Sequence, residues 1–308
     1  MATVLVLAAI VVSGWRFGFP GRSSVEHPQP AGARFLAMAE AKPTVPAAAP
    51  RTGAATGTRR FECGRNVEGI RNSDNLITQP GVAGGAHHLH DYVGNMSTNA
   101  FSTEQTLALA PTTCEDGDRS TYYWPVLRLQ SEHGHQDPAA VVTPSSVLVH
   151  YRGNPATKVF AMPQFLRMMV GNPRAYTQPS MTTASVNWTC SGSRDRTTVL
   201  YPRCPAGQQV VRIFDFPSCW KGDSKDSANH RSHMEYPMVT GACPASTVPV
   251  PQLHLEVGYA LPADVDYYLD TLPSEQGSSS TDHADFINVM PDALMADVVR
   301  CLNDGLHC

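Results

Sequence analysis

LHLEVGY, residues 253–259, alternates apolar and polar side chains and carries a β-branched and an aromatic residue. That period of two marks a half-buried strand rather than a helix. Working outward, Val147, Val149 and Tyr151 in SVLVHYRG (146–153) repeat the alternation. Further β-like runs are TYYWPVLRL (121–129), TTVLY (197–201) and QVVRIFDFP (209–217). Turn residues punctuate these runs, with 23 glycines and 25 prolines in 308 residues. Short strands joined by Pro/Gly-rich loops predict a mostly β, sandwich or jelly-roll-like domain. Helical spacing occurs only near the C-terminus, in PDALMADVVRCL (291–302), where Leu294, Val298 and Leu302 fall at i, i+4 and i+8 and Asp292 stands in the first turn.

Residues 2–14 (ATVLVLAAIVVSG) are apolar or small. The run is shorter than the roughly 20 residues a bilayer span needs and resembles the core of a signal peptide. Residues 1–20 are therefore read as a signal peptide or membrane anchor, and the protein as secreted. Residues 21–60 include EAKPTVPAAAPRTGAATGTRR (40–60), which lacks a periodic apolar face and is expected to be a disordered linker. A single β-rich domain is expected over 61–308. The formal charge of −4 argues against a nucleic-acid partner.

Eight cysteines, Cys63, Cys114, Cys190, Cys204, Cys219, Cys243, Cys301 and Cys308, all follow the leader. Their even number and the lack of a C-x-x-C pair favour disulfides over a zinc ribbon. Pairing sequence neighbours gives 63–114, 190–204, 219–243 and 301–308.

The twelve histidines are clustered. GGAHHLHDYVGN (84–95) holds His87, His88 and His90; EHGHQD holds His133 and His135; DSANHRSHMEYP (226–237) holds His230 and His233; TDHADF (281–286) holds His283 beside Asp282 and Asp285. In extended chain His88 and His90 share a face, as do His283 and Asp285. On a helical turn His230 and His233 would be neighbours. Such pairs suit acid–base chemistry, or ligation of zinc, copper or non-haem iron by imidazoles with a carboxylate; calcium is the oxygen-ligated alternative. Arg65, Arg71 and Arg167 could clamp anionic substrate groups. Tyr122, Tyr123 and Trp124 form either a sugar-stacking platform or core, with core favoured for Trp124. Asp215, Asp223, Asp226 and Glu235 offer carboxylates from which spacing selects no glycosidase pair. Nucleophile-elbow, P-loop, Rossmann and H-E-x-x-H motifs are absent from the sequence.

Several blocks together resemble one known family. They are RNSDNLITQPGVAGGAHHLHDYVGN (71–95), CEDGDRSTYYWPVL (114–127), MPQFLRMMVGN (162–172), VRIFDFPSCWKGDSKDSANHRSHMEYP (211–237), GACPASTVPVPQLHLEVGY (241–259) and DHADFINVM (282–290). The family is the secreted "domain of unknown function nineteen-ninety-six" of fungal exoproteins, often beside carbohydrate-binding WSC modules, and of actinobacterial exoproteins. The resemblance implies recurrent positions at His88, His90, Tyr123, Trp124, Arg167, Cys219, Trp220, Asp226, His230, His233, His283, Asp285 and Phe286. The chain departs from the family pattern at Asp74–Gly81, where a D-P-I-V-x-P-G-like run is usual, and at Met290, where tryptophan is common.

Three functions follow as expectations. In the first, the protein acts on cell-wall or extracellular polysaccharide as a lyase or hydrolase, through His88, His90, His230, His233, His283, Asp285, Arg167 and Tyr123. In the second it is a wall-glycan-binding module without catalysis, stacking sugars on Tyr92, Tyr123 and Trp220. In the third, His88, His90, His230, His233 and His283 ligate a metal.

Overall fold

The computed structural model describes residues 34–130, 140–179, 186–262 and 265–308. The proposed leader, residues 21–33 and the histidines at 133 and 135 lie outside the described residues. Ten strands build two five-stranded sheets: β1 (Thr58–Phe61), β2 (Arg71–Asn72), β3 (His90–Gly94), β4 (Thr121–Pro125), β5 (Ser146–Arg152), β6 (Arg167–Gly171), β7 (Val186–Cys190), β8 (Val210–Asp215), β9 (Gln252–Tyr259) and β10 (His283–Ile287). The first sheet has the order β6-β10-β4-β3-β2 and the second β7-β8-β9-β5-β1. Every pairing within them is antiparallel.

Register decides which side chains meet. Directly opposed residues share a face, so Phe61, Val149, Leu255, Phe214 and Val186 form one row across the second sheet. Val93, Tyr122, Phe286 and Met168 form a row across the first. Both rows enter the same buried apolar cluster, which places the core between the sheets. The Tyr122 and Tyr151 hydroxyls meet at 2.8 Å across it. Trp124 is core, as expected.

One ion pair also crosses the core. Arg212 on β8 is fully buried and donates from Nε and Nη2 to Asp282 at 3.1 and 2.5 Å. Its Nη1 donates to the Pro125 carbonyl at 2.8 Å and to the Tyr259 hydroxyl at 3.1 Å. Arg212 therefore ties the second sheet to the ends of β4 and β10, the strands that carry the candidate site.

The expected strands at 121–129, 146–153, 209–217 and 253–259 form, as does the C-terminal helix, α2 (Asp292–Asn303), which follows α1 (Glu104–Leu109). TTVLY does not make one strand. Thr197 and Tyr201 belong to two short strands, Arg196–Thr197 and Tyr201–Arg203, separated by a turn. All four disulfides pair as expected from sequence order.

The linker expectation needs correction over 34–60. Phe35–Ala37 pairs in parallel with Tyr201–Arg203, and Lys42–Pro43 pairs with Arg196–Thr197. Met38, Ala41, Ala54 and Ala55 are buried, and β1 begins at Thr58. Small alanines let the chain lie close on the domain, and its backbone groups find partners there, so no amphipathic period was needed. Among the described residues, no helix is long and apolar enough to cross a membrane.

Candidate functional site

The face of the first sheet turned away from the core carries the site. Alternation puts His90 and Tyr92 of β3 on this face, together with His283 and Asp285 of β10. Tyr92, Tyr123, Asp285 and Met169 form one cross-strand row. In the next row His90 opposes Pro125, and His283 opposes Gly171. The β4–β10 register places Pro125 between the two histidines. Proline's short ring leaves room for both imidazoles to lean together above it.

His88, in the loop before β3, completes the group. Its ring centroid lies 4.5 Å from that of His90 and 5.0 Å from that of His283, and His90 and His283 are 6.0 Å apart. The Nε2 atoms of His88 and His283 are 3.1 Å apart. One ligand nitrogen from each of His88, His90 and His283 falls within 4.8 Å of the others. A second group that close, Cys63, Cys114 and Asp118, has its two sulfurs joined in a disulfide.

Backbone carbonyls fix two of the tautomers. His90 Nδ1 lies 3.0 Å from the Asp74 carbonyl, and His283 Nδ1 lies 2.8 Å from that of Thr281. A carbonyl only accepts, so both Nδ1 atoms are protonated and both Nε2 atoms carry lone pairs in the neutral rings. Burial pushes the His88 pKa from 6.5 down to about 4. Burial, reinforced by the neighbouring imidazoles, holds His90 and His283 well below the ordinary histidine value. All three are therefore neutral at pH 7, the ligating state. His90 Nε2 is buried with no hydrogen-bond partner.

The loop 73–89 covers this face, and Asp74 and Asn75 pin it. The Asp74 carboxylate accepts from the backbone N–H groups of Gly84 and Ala100 at 2.7 and 2.9 Å. Asn75 Oδ1 accepts from Ile77, Thr78 and the Tyr123 hydroxyl, while its Nδ2 donates to Asp285 Oδ2 at 3.1 Å. Leu76 and Ile77 pack on Met169 and Ile287 of the same face. Burial raises the Asp285 carboxyl to about 7, against the influence of Arg231 and Asn75, and its Oδ1 has no partner. Sequence reasoning missed Asp74 and Asn75. The signal was present as an Asp-Asn pair opening a long loop, where such side chains cap backbone N–H groups.

Not every expected residue joins the three-histidine group. His230 pairs with Asp226 at 3.0 Å, and Arg167 lies 3.6 Å from the same carboxylate. His233 spends both ring nitrogens, on the Arg167 carbonyl at 2.6 Å and on Ser227 Oγ at 3.0 Å. His230 and His233 sit in an irregular turn rather than a helix, and aim at separate partners. They line a neighbouring cleft of ≈ 420 Å³ with Met169 and Arg231. The stacking platform expected of Tyr92 and Tyr123 is also corrected. Both are buried, and their rings stack on each other at 5.1 Å. Burial raises the Tyr123 hydroxyl well above its ordinary value, so it stays a neutral donor. Trp220 is half-buried and donates to the Ser224 carbonyl.

Against known proteins, residues 75–289 match the family model described as "Domain of unknown function (DUF1996)". The chain belongs to this family. The matched region runs from Asn75 through β10, so it holds all three clustered histidines. No curated protein and no solved structure gives a significant match.

Proposed function

We propose that the protein binds a divalent transition metal through the Nε2 atoms of His88, His90 and His283. The observation that carries this reading is His90 Nε2, a lone pair buried without a partner beside two other imidazoles. Leaving such a group unpaired costs about 1–3 kcal/mol, which a bound cation offsets. Two nitrogens on one tetrahedral zinc stand about 3.3 Å apart, from metal–nitrogen distances of roughly 2.0–2.1 Å. The 3.1 Å between His88 and His283 supports that fit. The carbonyls of Asp74 and Thr281 would orient the ligands, as outer hydrogen bonds do at histidine metal centres. An all-nitrogen set favours zinc or copper and disfavours calcium, which takes oxygen ligands. Three histidines leave a coordination position for water or substrate, and Asp285 offers an unpaired carboxylate oxygen on the same sheet face.

Elemental analysis of untagged protein loaded with zinc or copper tests the reading. About one ion per chain is expected for a three-histidine centre, lost in His90→Ala and His283→Ala. Wild-type protein without stoichiometric metal under both loadings refutes it.

A second reading adds a substrate. The cleft beside β6 contains Arg231, whose charge acts on both Asp285 and His283. It is the approach we propose for an extracellular polysaccharide, cleaved by lyase or hydrolase chemistry. Four disulfides support a secreted location. Product analysis on a panel of wall glycans tests the substrate. Release by wild type and by neither His90→Ala nor His230→Ala is expected. Retention on insoluble wall material without products would leave a binding module instead.

A further inference from the structure

The outer face of the second sheet bears a different polar system. By register, Asp215, His254, His150 and Arg60 form one cross-strand row over β8, β9, β5 and β1. The adjoining row is Asn187, Ile213, Glu256 and Leu148. These are the positions that alternate with the core residues, so they face away from the core. A groove of ≈ 1050 Å³ runs over these positions except His150, walled by the N-terminal segment around Glu40–Val45 and by Arg194 and residues 197–200.

His254, nearly buried, is among the residues that line this groove. Nδ1 meets Asp215 Oδ1 at 2.7 Å and Nε2 meets Glu256 Oε1 at 3.0 Å. Arg152 pairs with the same oxygen of Asp215 at 3.3 Å, and Arg194 pairs with Glu256 Oε2 at 2.8 Å. These groups largely satisfy one another, which leaves the groove's unspent chemistry elsewhere. Asp215 Oδ2 accepts no bond, and the Asn187 amide makes none, among the described residues. The Arg60 guanidinium and the Lys42 ammonium are exposed and unpaired among the described residues. Among the described residues, the groove thus combines the unpaired cations Lys42 and Arg60 and the exposed Glu40 carboxylate with neutral donors and the Asp215 acceptor, its two further arginines being spent on Asp215 and Glu256, and no Phe, Tyr or Trp side chain lines it.

That inventory selects a ligand class. A neutral sugar chain would be expected to find aromatic stacking surfaces, which the groove lacks. A bare anion such as sulfate would suit Arg60 and Lys42 but offers no hydroxyl donor to Asp215 Oδ2. An extended peptide binds along an exposed sheet edge, whereas this groove crosses a sheet face whose strands are already paired. A uronic-acid-containing oligosaccharide has carboxylates for Arg60 and Lys42 and hydroxyls for Asn187 and Asp215.

We propose that this groove binds an acidic, uronate-bearing oligosaccharide, at a site separate from the three-histidine centre. Arg60 and Lys42 hold its carboxylates, and the Asp215–His254–Glu256 network sets the floor.

Titration calorimetry with tetragalacturonate, and with its carboxyl-reduced neutral counterpart, tests this at low salt. Binding of the acidic chain is expected, with the neutral chain at least about tenfold weaker, as is the Lys42→Ala/Arg60→Ala double variant, a loss fitting one charge-assisted hydrogen bond. Hydrogen exchange on the complex should show new protection at 213–215 and 254–256. Equal binding of the neutral chain, no binding at millimolar concentration, undiminished binding by a double variant with wild-type melting, or protection confined to 88–90 and 283–285 each overturns the proposal. If the double variant does not fold, Arg60→Gln alone takes its place, with the same criteria.

Discussion

Replacing Arg212 by methionine should be among the most damaging single substitutions, and its cost can be worked from the contacts. The side chain makes two hydrogen bonds to Asp282, one to the Pro125 carbonyl and one to the Tyr259 hydroxyl. Arg212 and Asp282 are 0 % and 1 % exposed, so water cannot replace what is lost. Methionine fills much of the volume but leaves the Asp282 charge buried and uncompensated. Removing one partner of such a pair costs about 3–5 kcal/mol. For a domain of this size each kcal/mol lowers Tm by about 2–4 °C, so a fall of roughly 10 °C is expected. The double variant Arg212→Met/Asp282→Asn removes the stranded charge and should recover about 2 kcal/mol, the difference between a buried ion and a neutral amide. Scanning calorimetry under non-reducing conditions reads both. The same melts repeated with zinc report on the site, because Asp282 precedes His283 and Pro125 lies between His90 and His283. The single variant should therefore show a smaller zinc-induced rise in Tm than wild type. A single variant melting within 2 °C of wild type, or a double variant no better than the single, would refute the assignment of this pair as the tie between the sheets.

Zinc at about a hundred times its Kd should stabilise the wild type by about 2.7 kcal/mol, and His90→Ala by almost nothing; equal Tm shifts in both would count against the three-histidine centre. Removing the Cys63–Cys114 disulfide, which spans 51 residues, should cost about 4 kcal/mol on the chain-entropy relation. Removing Cys301–Cys308, which spans 7, should cost about 2 kcal/mol, and paired Cys→Ser variants compared by urea denaturation check the order. Glu256 supplies a pH test. Burial opposes its charge, but His254 and Arg194 more than offset this and lower its pKa from 4.5 to about 2. A lowered carboxyl contributes stability that is complete above pH 4.5 and is lost as pH falls toward 2. The difference in denaturation free energy between wild type and Glu256→Gln should shrink across that window, and a pH-independent difference would contradict the pairing.

Strands with one face on the core and the other on solvent were legible in the sequence, as was β4, whereas β3 and β10, the strands that carry the clustered histidines, were not. In LHLEVGY and SVLVHYRG the outward positions are His254, Glu256, Leu148 and His150, and the inward ones are apolar, so the period of two stands out. In HDYVG and HADFI both faces are buried, one by the core and one by the loop 73–89. Their outward residues include His90, Tyr92, His283 and Asp285, which read as loop chemistry when no partner strand is known. The residues were picked out by type, while their placement on strands was not. The H-x-H and H-x-D spacings predicted shared faces, and register made them one site by setting β3 and β10 on either side of Pro125. The DSANHRSHMEYP motif was just as suggestive in sequence, yet its histidines bind Asp226, Ser227 and the Arg167 carbonyl. Spacing says which side chains can point the same way, and only the long-range pairing says what they point at. A buried lone pair is the discriminating feature between the two motifs. His233 has both nitrogens occupied and His230 is held by a carboxylate, whereas His90 Nε2 is enclosed and unmatched. That difference is the physical reason to propose a metal site at His88, His90 and His283 and to leave His230 and His233 to the cleft.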